Sequence, residues 1–112
     1  MHSPTAGSTT QTCGVADGVG ANAQFSDPKG IAYDVNDGNL YVTDTQNCTI
    51  RQVNPATGSV VTFAGSPGAC AFTDGLGSSA FFNLPAGIAF DAINGNLYLT
   101  DSSNNLIRQI QR

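Results

Sequence analysis

The 112-residue chain contains no glutamate and no tryptophan, and it has a single histidine and a single lysine, Lys29. All eight acidic residues are aspartates, and with four basic residues the formal net charge is −4. Binding to nucleic acid or to an anionic membrane needs clustered Lys and Arg side chains. The charge balance therefore predicts that neither nucleic acid nor a membrane is a partner of this chain.

Long apolar runs are lacking as well. No stretch approaches the roughly 18 residues of a membrane span, and the N-terminus has no apolar core of a signal peptide, so we expect a soluble domain. Strong helix formers are scarce whereas Gly, Asn, Ser and Thr are abundant, which predicts strands joined by turns and almost no helix. Many Asn, Ser and Thr residues beside one Lys favour a secreted protein.

The residues that would support catalysis or hold a cofactor are missing. The single histidine is His2, near the N-terminus, so no internal histidine can activate a Ser or Cys nucleophile. The three cysteines, Cys13, Cys48 and Cys70, lack the close pairs of a zinc site. Residues 18–20, Gly-Val-Gly, do not join a strand to a helix as a phosphate-binding loop does. We therefore predict no enzyme activity, no metal and no cofactor.

What the sequence does contain is an internal repeat. Residues 13–55 align with residues 70–112 at an offset of 57 without a gap, and 21 of the 43 pairs are identical. The shared positions are those that shape a backbone, such as the Gly-Asn-Leu-Tyr run of residues 38–41, which returns at residues 95–98. Such a repeat is typical of stacked structural units, each of which cannot bury its apolar faces alone.

Each repeat is expected to form antiparallel strands. In the first repeat, turn-forming Asn, Asp, Gly and Pro residues separate short apolar runs, which predicts a four-stranded meander with strands at residues 31–33, 40–43, 49–53 and 60–63. Strands that are apolar on both faces suit a sheet packed on each side, as in the blade of a β-propeller. The predicted fold class is therefore all-β.

The repeated motifs point to a known family. They are Asp-Gly-x-Gly, Ala-x-Phe, Pro-x-Gly-Ile-Ala, Gly-Asn-Leu-Tyr, Asp-x-x-Asn and Ile-Arg, and the first repeat closes on the Thr-Phe-Ala-Gly of residues 62–65. This set, spread over residues 13–112, resembles the NHL repeat, a propeller blade usually found in six-bladed rings. The resemblance implies two blades per chain, the first over residues 13–66 and the second over residues 67–112.

The second blade is predicted to lack an outer strand, because residues 82–112 supply only three strands. The N-terminal segment, residues 1–12, offers a replacement, since residues 5–8 align with residues 63–66 after a one-residue shift. A proline at position 4 makes this a poorer strand. Two blades cannot close a ring, whereas three copies joined head to tail would give six. We therefore expect a homotrimer in which residues 1–12 complete the last blade of a neighbouring copy. A dimer of four blades and a tetramer of eight blades are the alternatives.

The repeated aspartates have a structural and a functional interpretation. Asp34 and Asp44 recur as Asp91 and Asp101. In a trimer they would form rings of carboxylates, which suit cations or sugars. Each also follows a strand, at a turn that its side chain can cap. We favour the capping interpretation, since positions identical in both repeats are those that any blade needs.

Three further features of the sequence have candidate roles. Arg51 and Arg108 recur at one strand position, and we interpret them as hydrogen-bonding between blades. The loops that hold Cys48 and Cys70 would emerge on the same side of a blade, so a disulfide between them is feasible, with three reduced thiols as the alternative. Asn47 lies in an Asn-Cys-Thr sequon for N-glycosylation, although a turn also explains this asparagine.

The loops that differ between the repeats are the better candidates for recognition. Side chains at the channel mouth of a propeller would set specificity where they are unlike from blade to blade. The candidate binding residues are Ser26, Asp27, Lys29, Asn83 and Ala86. A glycan or a protein would be the ligand.

Three functions stay open from the sequence. The first, which we favour, is a non-enzymatic, self-assembling propeller module that serves as a structural or interaction scaffold and is its own main partner. The second is a propeller that binds a glycan or a protein through loops on one face. The third is a part of a propeller enzyme whose catalytic blades lie outside this chain.

Overall fold

The computed structural model describes residues 4–8, 13–71, 73–75 and 80–111. Within these ranges the chain forms eight strands and three short 3₁₀ turns, as the composition predicted. The strands are β1 (Gly18–Val19), β2 (Pro28–Asp34), β3 (Asn39–Asp44), β4 (Thr49–Asn54), β5 (Ser59–Ala64), β6 (Pro85–Asp91), β7 (Asn96–Asp101) and β8 (Leu106–Ile110). The 3₁₀ turns are Gly20–Asn22, Thr45–Asn47 and Ser102–Asn104.

The strands form two antiparallel sheets. The first, called blade 1, has the order β1-β5-β4-β3-β2, and the second, blade 2, has the order β6-β7-β8. The predicted four-stranded meander is therefore present in blade 1, and three strands are present in blade 2. The short strand β1 was not predicted; Gly18 and Val19 add it to the open edge of β5, opposite Val60 and Ser59.

The hairpin turns between the first two strands of each blade are closed by aspartate and glycine. Asp34 is 1% exposed, and its Oδ1 accepts hydrogen bonds from the backbone N–H of Asn36 at 2.8 Å and of Asp37 at 3.3 Å. Gly38 and Gly95 both have φ 76°, which a residue without a Cβ adopts at little cost. The turn geometry fixes the register of β2 against β3, with Tyr33 opposite Leu40.

Each blade has two apolar faces. We call the face turned toward the next blade in the sequence the downstream face, and the opposite one the upstream face. The downstream face of blade 1 packs on the upstream face of blade 2 to form the main core, whose fully buried members are Tyr41, Ile50, Ala64, Ala80, Phe82, Leu97 and Leu99. A second, smaller core covers part of the upstream face of blade 1; its buried members are Ala23, Val42, Val53 and Val60.

The N-terminal segment is described only in part. Residues 4–8 form bends rather than a strand, and Ala6 packs on the smaller core beside Phe25. Residues 1–3 and 9–12 lie outside the described residues. The outer strand expected from residues 1–12 therefore stays a prediction.

Candidate functional site

A buried cluster of charged residues lies at the upstream face of blade 1. The Arg51 side chain is 1% exposed, and its Nη1 donates a hydrogen bond to Oδ2 of Asp44 at 2.8 Å. Its Nη2 donates to Oδ1 of Asp17 at 2.9 Å. The guanidinium also lies over the ring of Phe25, 4.9 Å from its centroid. One arginine thus joins β4 to the end of β3 and to the segment that precedes β1.

Arg51 also donates hydrogen bonds to two backbone carbonyls. Its two terminal nitrogens donate to the carbonyls of Gln24 at 2.7 Å and Ala16 at 2.9 Å. The carboxylate of Asp44 is completed by the N–H of Ser26 and by the side-chain amide of Asn47. Four hydrogen bonds from Nη1 and Nη2 offset the burial of the guanidinium charge, and the buried Nε has no hydrogen-bond partner among the described residues.

Blade 2 repeats the cluster residue for residue. Arg108 donates to Asp101 at 2.8 Å and to Asp74 at 2.9 Å, and it lies 4.9 Å from the ring centroid of Phe82. Asn104 donates to Asp101 at 2.9 Å, as Asn47 does to Asp44. A cluster built identically in both blades is part of the blade, because a ligand site would not need two copies with the same bonds.

These contacts decide between the interpretations of the repeated charges. Asp34 and Asp91 cap hairpins, and Asp44 and Asp101 hold the arginines, so the aspartates are structural, as favoured from the sequence. For Arg51 the predicted hydrogen bonding between blades was wrong. The hydrogen bonds of Arg51 stay within blade 1 and its leading segment, since its acceptors lie at residues 16–44.

Hydrogen bonds in the exposed hairpin turn of blade 2 lower the pKa of its aspartate, Asp91. The side-chain amide of Asn94 donates to Asp91, and the backbone N–H groups of Ile93 and Asn94 add two further bonds. These donors favour the ionised carboxylate and lower the pKa of Asp91. The hairpin cap is thus a carboxylate at neutral pH.

Two threonine hydroxyls provide side-chain hydrogen bonds between the blades. Thr43 Oγ1 accepts the N–H of Gly30 at 2.8 Å and donates to the carbonyl of Ala86. Thr45 Oγ1 donates to the carbonyl of Pro85 at 2.6 Å. A Cβ at Gly30 would overlap the Ala86 oxygen, so this position needs glycine for the close approach of β2 and β6.

A disulfide fastens the same junction. The structure joins Cys48 in the turn after β3 to Cys70 in the segment that leads into blade 2, with their Cα atoms 5.3 Å apart. Cys13, the repeat equivalent of Cys70, is a free and exposed thiol. The two cysteines are 22 residues apart in the sequence, and closing a loop of that length contributes about 3 kcal/mol to stability in the chain-entropy model.

The N-glycosylation considered for Asn47 does not fit the fold. Asn47 is 8% exposed, and its Nδ2, the atom that would carry the sugar, donates to the carbonyl of Gly14 at 2.7 Å and to Asp44 at 2.8 Å. A glycan there would remove both bonds. The sequon is explained by the turn.

The candidate binding residues lie at the entry of the first strand of each blade. They are Ser26, Asp27, Lys29, Asn83 and Ala86. The N–H of Ser26 donates to Asp44 and that of Asn83 donates to Asp101, both at 2.7 Å, so the two loops have the same shape. Lys29 and Asp27 have half-exposed side chains 3.7 Å apart. Ala86 offers no polar side chain, so the two loops share a shape and differ in chemistry.

Two concavities remain open beside the blades. A groove of about 350 Å³ lies on the upstream face of blade 1, between the N-terminal segment and strands β2 to β4; Ala6, Phe25, Ile31, Leu40, Val42 and Val53 line it. A cleft of about 480 Å³ follows the outer edge of β8, between Phe63 and Arg108. Both lie where a neighbouring blade or strand would pack.

Neither a metal centre nor a spanning helix is found in the part of the chain that the structure describes. No three His, Cys or Asp side chains of these residues converge as metal ligands would. Likewise, none of the helical segments described has the length and apolar character needed to cross a membrane.

Sequence reasoning missed the partners of the repeated charges, although the repeat carried a signal for them. Asp17 and Arg51 recur together as Asp74 and Arg108, 34 residues apart in both blades. Residues that recur as a set at fixed spacing are candidates for mutual contact. Thr43, which recurs as Thr100, could have been assigned to the blade junction in the same way.

The repeat model named NHL repeat matches residues 25–53 and 82–110, which together make up half of the chain. Among known proteins, Protein SUPPRESSOR OF QUENCHING 1, chloroplastic, from Arabidopsis thaliana is 43% identical over 94 residues, 84% of this chain and 9% of that protein.

Solved structures show the same arrangement of strands. A structural genomics protein of unknown function from Bacteroides thetaiotaomicron matches with a TM-score of 0.82 and 31% identity, over 93% of this chain and 26% of that one. An auxiliary nutrient binding protein from the same organism matches with a TM-score of 0.80 and 27% identity, over 94% of this chain and 27% of that one. The present chain thus spans about a quarter of these neighbours.

Proposed function

Because this chain belongs to the NHL repeat family, with its two sheets as blades of a β-propeller, we propose that it is a non-catalytic scaffold that assembles with copies of itself into a six-bladed ring. The ring would present loops at its channel mouth to a ligand. Three chains with two blades each would close it, and a head-to-tail contact that closes under rotation gives a C3 trimer.

The observation that carries the proposal is the exposure of apolar side chains on the two outer faces. Ile50, on the downstream face of blade 1, is fully buried against blade 2, whereas its repeat equivalent Ile107 on the downstream face of blade 2 is 70% exposed. Ile31 is 61% exposed on the upstream face of blade 1, while its equivalent Ile88 packs on the main core. Exposed apolar faces and open strand edges favour association.

The non-catalytic part of the proposal is supported by the use of the polar groups. The arginines and the aspartates that the two repeats share are bonded within the blades, and the thiols of Cys48 and Cys70 are joined. Among the described side chains, the hydroxyls that donate to a carboxylate, those of Thr62 and Tyr41, have no histidine beside them of the kind that activates a nucleophile in covalent catalysis.

Native mass tests the proposal. We expect light scattering on the purified chain to give three times the mass of one 11.5 kDa chain, at micromolar concentration and physiological salt. The mass should be insensitive to salt, since the faces are apolar. A stable single chain would contradict self-assembly, whereas a mass of two or four chains would retain it and overturn the trimer.

A second function is favoured by the chemistry of one loop. The exposed pair of Lys29 and Asp27 in blade 1 has no counterpart in blade 2, where Ala86 and Leu84 occupy the equivalent positions. One structural neighbour is an auxiliary nutrient binding protein, so a similar scaffold serves for binding elsewhere. We propose that these loops bind a glycan or a peptide.

Arrays of glycans and peptides test this second function. We expect a ligand whose binding falls at least about tenfold in Lys29→Ala, which corresponds to the loss of one hydrogen bond to a charged group, about 1.4 kcal/mol. Asn36→Ala is the matched control, because Asn36 is exposed at the hairpin on the opposite end of β2. Arrays without a hit, or equal losses of affinity in Lys29→Ala and Asn36→Ala, would contradict ligand binding by these loops.

A further inference from the structure

The contact between the two blades can be used as a template for the next contact. Residues of the upstream face of blade 2 have their equivalents 57 positions earlier on the upstream face of blade 1. There Ile31 and Tyr33 are 61% and 51% exposed, while Ile88 and Phe90 at the equivalent positions pack on the main core. The upstream face of blade 1 is therefore built like one that another blade covers.

The opposite end of the chain carries the matching half. Blade 1 contacts blade 2 through Tyr41 and Ile50, both fully buried. Their equivalents on the downstream face of blade 2 are Tyr98 and Ile107, and Ile107 is 70% exposed. One chain thus presents both halves of the contact that it already makes internally.

The polar part of the contact is duplicated too. Thr100 Oγ1 accepts the N–H of Gly87 at 2.7 Å, as Thr43 does from Gly30, and its side chain is exposed. In blade 1 the hydroxyl then donates to the carbonyl of Ala86. The equivalent of that acceptor is the carbonyl of Lys29, at the exposed start of β2. The Thr100 hydroxyl on blade 2 and the Lys29 carbonyl on blade 1 are therefore equivalent to the donor and the acceptor that already meet between the blades.

The N-terminal segment lies on blade 1 where the outer strand of a preceding blade would pack. Gly65, which follows β5, has φ 87°, and a Cβ there would lie 3.4 Å from the ring of Phe82. Gly7 has φ 105°, and a Cβ there would lie 3.6 Å from the ring of Phe25, the equivalent of Phe82. Gly7 thus lies against Phe25 of blade 1 as Gly65 lies against Phe82 of blade 2, with residues 5–7 in bends.

We infer that a second copy of this chain places the downstream face of its blade 2 on the upstream face of blade 1, in the geometry of the contact within one chain. Residues 5–8 then lie beside the edge of β8 of the second copy that no described strand covers. In blade 1, Ala64 pairs with Ile50; by the same register, Ala6 would pair with Ile107 of the second copy. This inference rests on the proposed self-assembly and specifies its interface.

The disulfide provides a direct test of that geometry. Cys70 reaches Cys48 across the blade junction, and their equivalents are Cys13 and Asn105. Cys48 and Asn105 share a left-handed backbone, with φ 59° and 58°, so a cysteine at position 105 would adopt the same geometry. In the inferred assembly, Asn105→Cys of the second copy brings its thiol opposite Cys13 of the first copy.

We expect Asn105→Cys to form reducible covalent dimers and trimers when oxidised glutathione accepts the two electrons and two protons of each thiol pair. Asn36→Cys is the control, because it is equally exposed but lies at the far hairpin. Paired thiols have a millimolar effective concentration, so cross-linking at micromolar protein should be roughly 100-fold faster than in the control. Peptide mapping should show Cys13 joined to the introduced thiol.

A glycine variant tests the same contact without new chemistry. Among the described residues of its own chain, a Cβ at Gly87 of the second copy meets only the Thr100 side chain, 3.3 Å from Oγ1, but in the assembly it would overlap the Lys29 carbonyl of the first copy. Gly87→Ala should therefore keep its circular dichroism spectrum and have the native mass of one chain. In this background Asn105→Cys should lose its fast cross-linking.

The outcomes separate the interface from the assembly. A multimeric native mass together with control-level cross-linking, or with an unaltered mass in Gly87→Ala, would overturn the interface and leave self-assembly standing. A single-chain mass with control-level cross-linking would overturn both, and the upstream face would then belong to blades outside this chain.

Discussion

Replacing Arg51 with alanine is expected to lower the free energy of unfolding by about 3–5 kcal/mol, the usual cost of removing one partner of a buried ion pair. Asp44 is completely buried, and Arg51 is the cation paired with it at 2.8 Å. The variant also leaves the carbonyls of Ala16 and Gln24 without the donors that hold the leading segment on the blade. The strand β1 should detach together with this segment.

Urea unfolding at a fixed chain concentration measures the effect. Lys29→Ala is the matched control, because it removes a cation from an exposed pair with Asp27, which is worth at most about 1 kcal/mol. Arg51→Lys should recover little, since one ammonium group cannot reach four acceptors that a planar guanidinium spans. An Arg51→Ala midpoint close to that of Lys29→Ala would show that the cluster is not needed for the blade.

Local chemistry made the strands and hairpins of this fold predictable. Short apolar runs, the turns rich in Asn, Asp and Gly, and the repeat period predicted the strand positions in both blades, and β2 to β8 lie within a few residues of the predicted runs. Asp34 was assigned to turn capping because a carboxylate two residues before free N–H groups has one dominant geometry. These features depend on residues that are close together in the chain.

Features that depend on distant partners were not predictable from one repeat alone. Arg51 was assigned to a contact between blades because most of its acceptors lie far away in the sequence, at residues 16–24, and strand periodicity does not identify them. The strand β1 consists of two residues, too short for any periodic signal. Thr43 was overlooked as a junction residue because its role needs the carbonyl of a residue 43 positions later.

The two faces of one blade explain why the repeat alone could not reveal the size of the assembly. Repeat identity reports which residues a blade needs, and it reports the same for two blades as for six. What differs is burial: Ile50 and Ile107 are the same residue at the same repeat position, yet only the first is covered. Comparing the loss of stability from the same substitution at two equivalent repeat positions therefore reports whether the chain assembles.

Phe82→Ala is expected to cost about 3–5 kcal/mol, as for a large aromatic residue removed from a core. Phe82 is 1% exposed, lies under the guanidinium of Arg108 and fills the junction of the blades beside Gly65. Its equivalent Phe25 holds the same place under Arg51, but it is only partly buried in one chain. For an isolated chain, Phe25→Ala should thus cost clearly less than Phe82→Ala.

Assembly is expected to make the two stability losses nearly equal. A second copy on the upstream face of blade 1 would bury Phe25 as blade 1 buries Phe82. We expect the two alanine variants to lose similar stability in urea at a concentration that gives the multimer, and Phe25→Ala to lose less in the Gly87→Ala background. Equal losses in both backgrounds would mean that residues 5–8 alone complete the environment of Phe25. A smaller loss for Phe25→Ala in the multimer would show that its face stays open there.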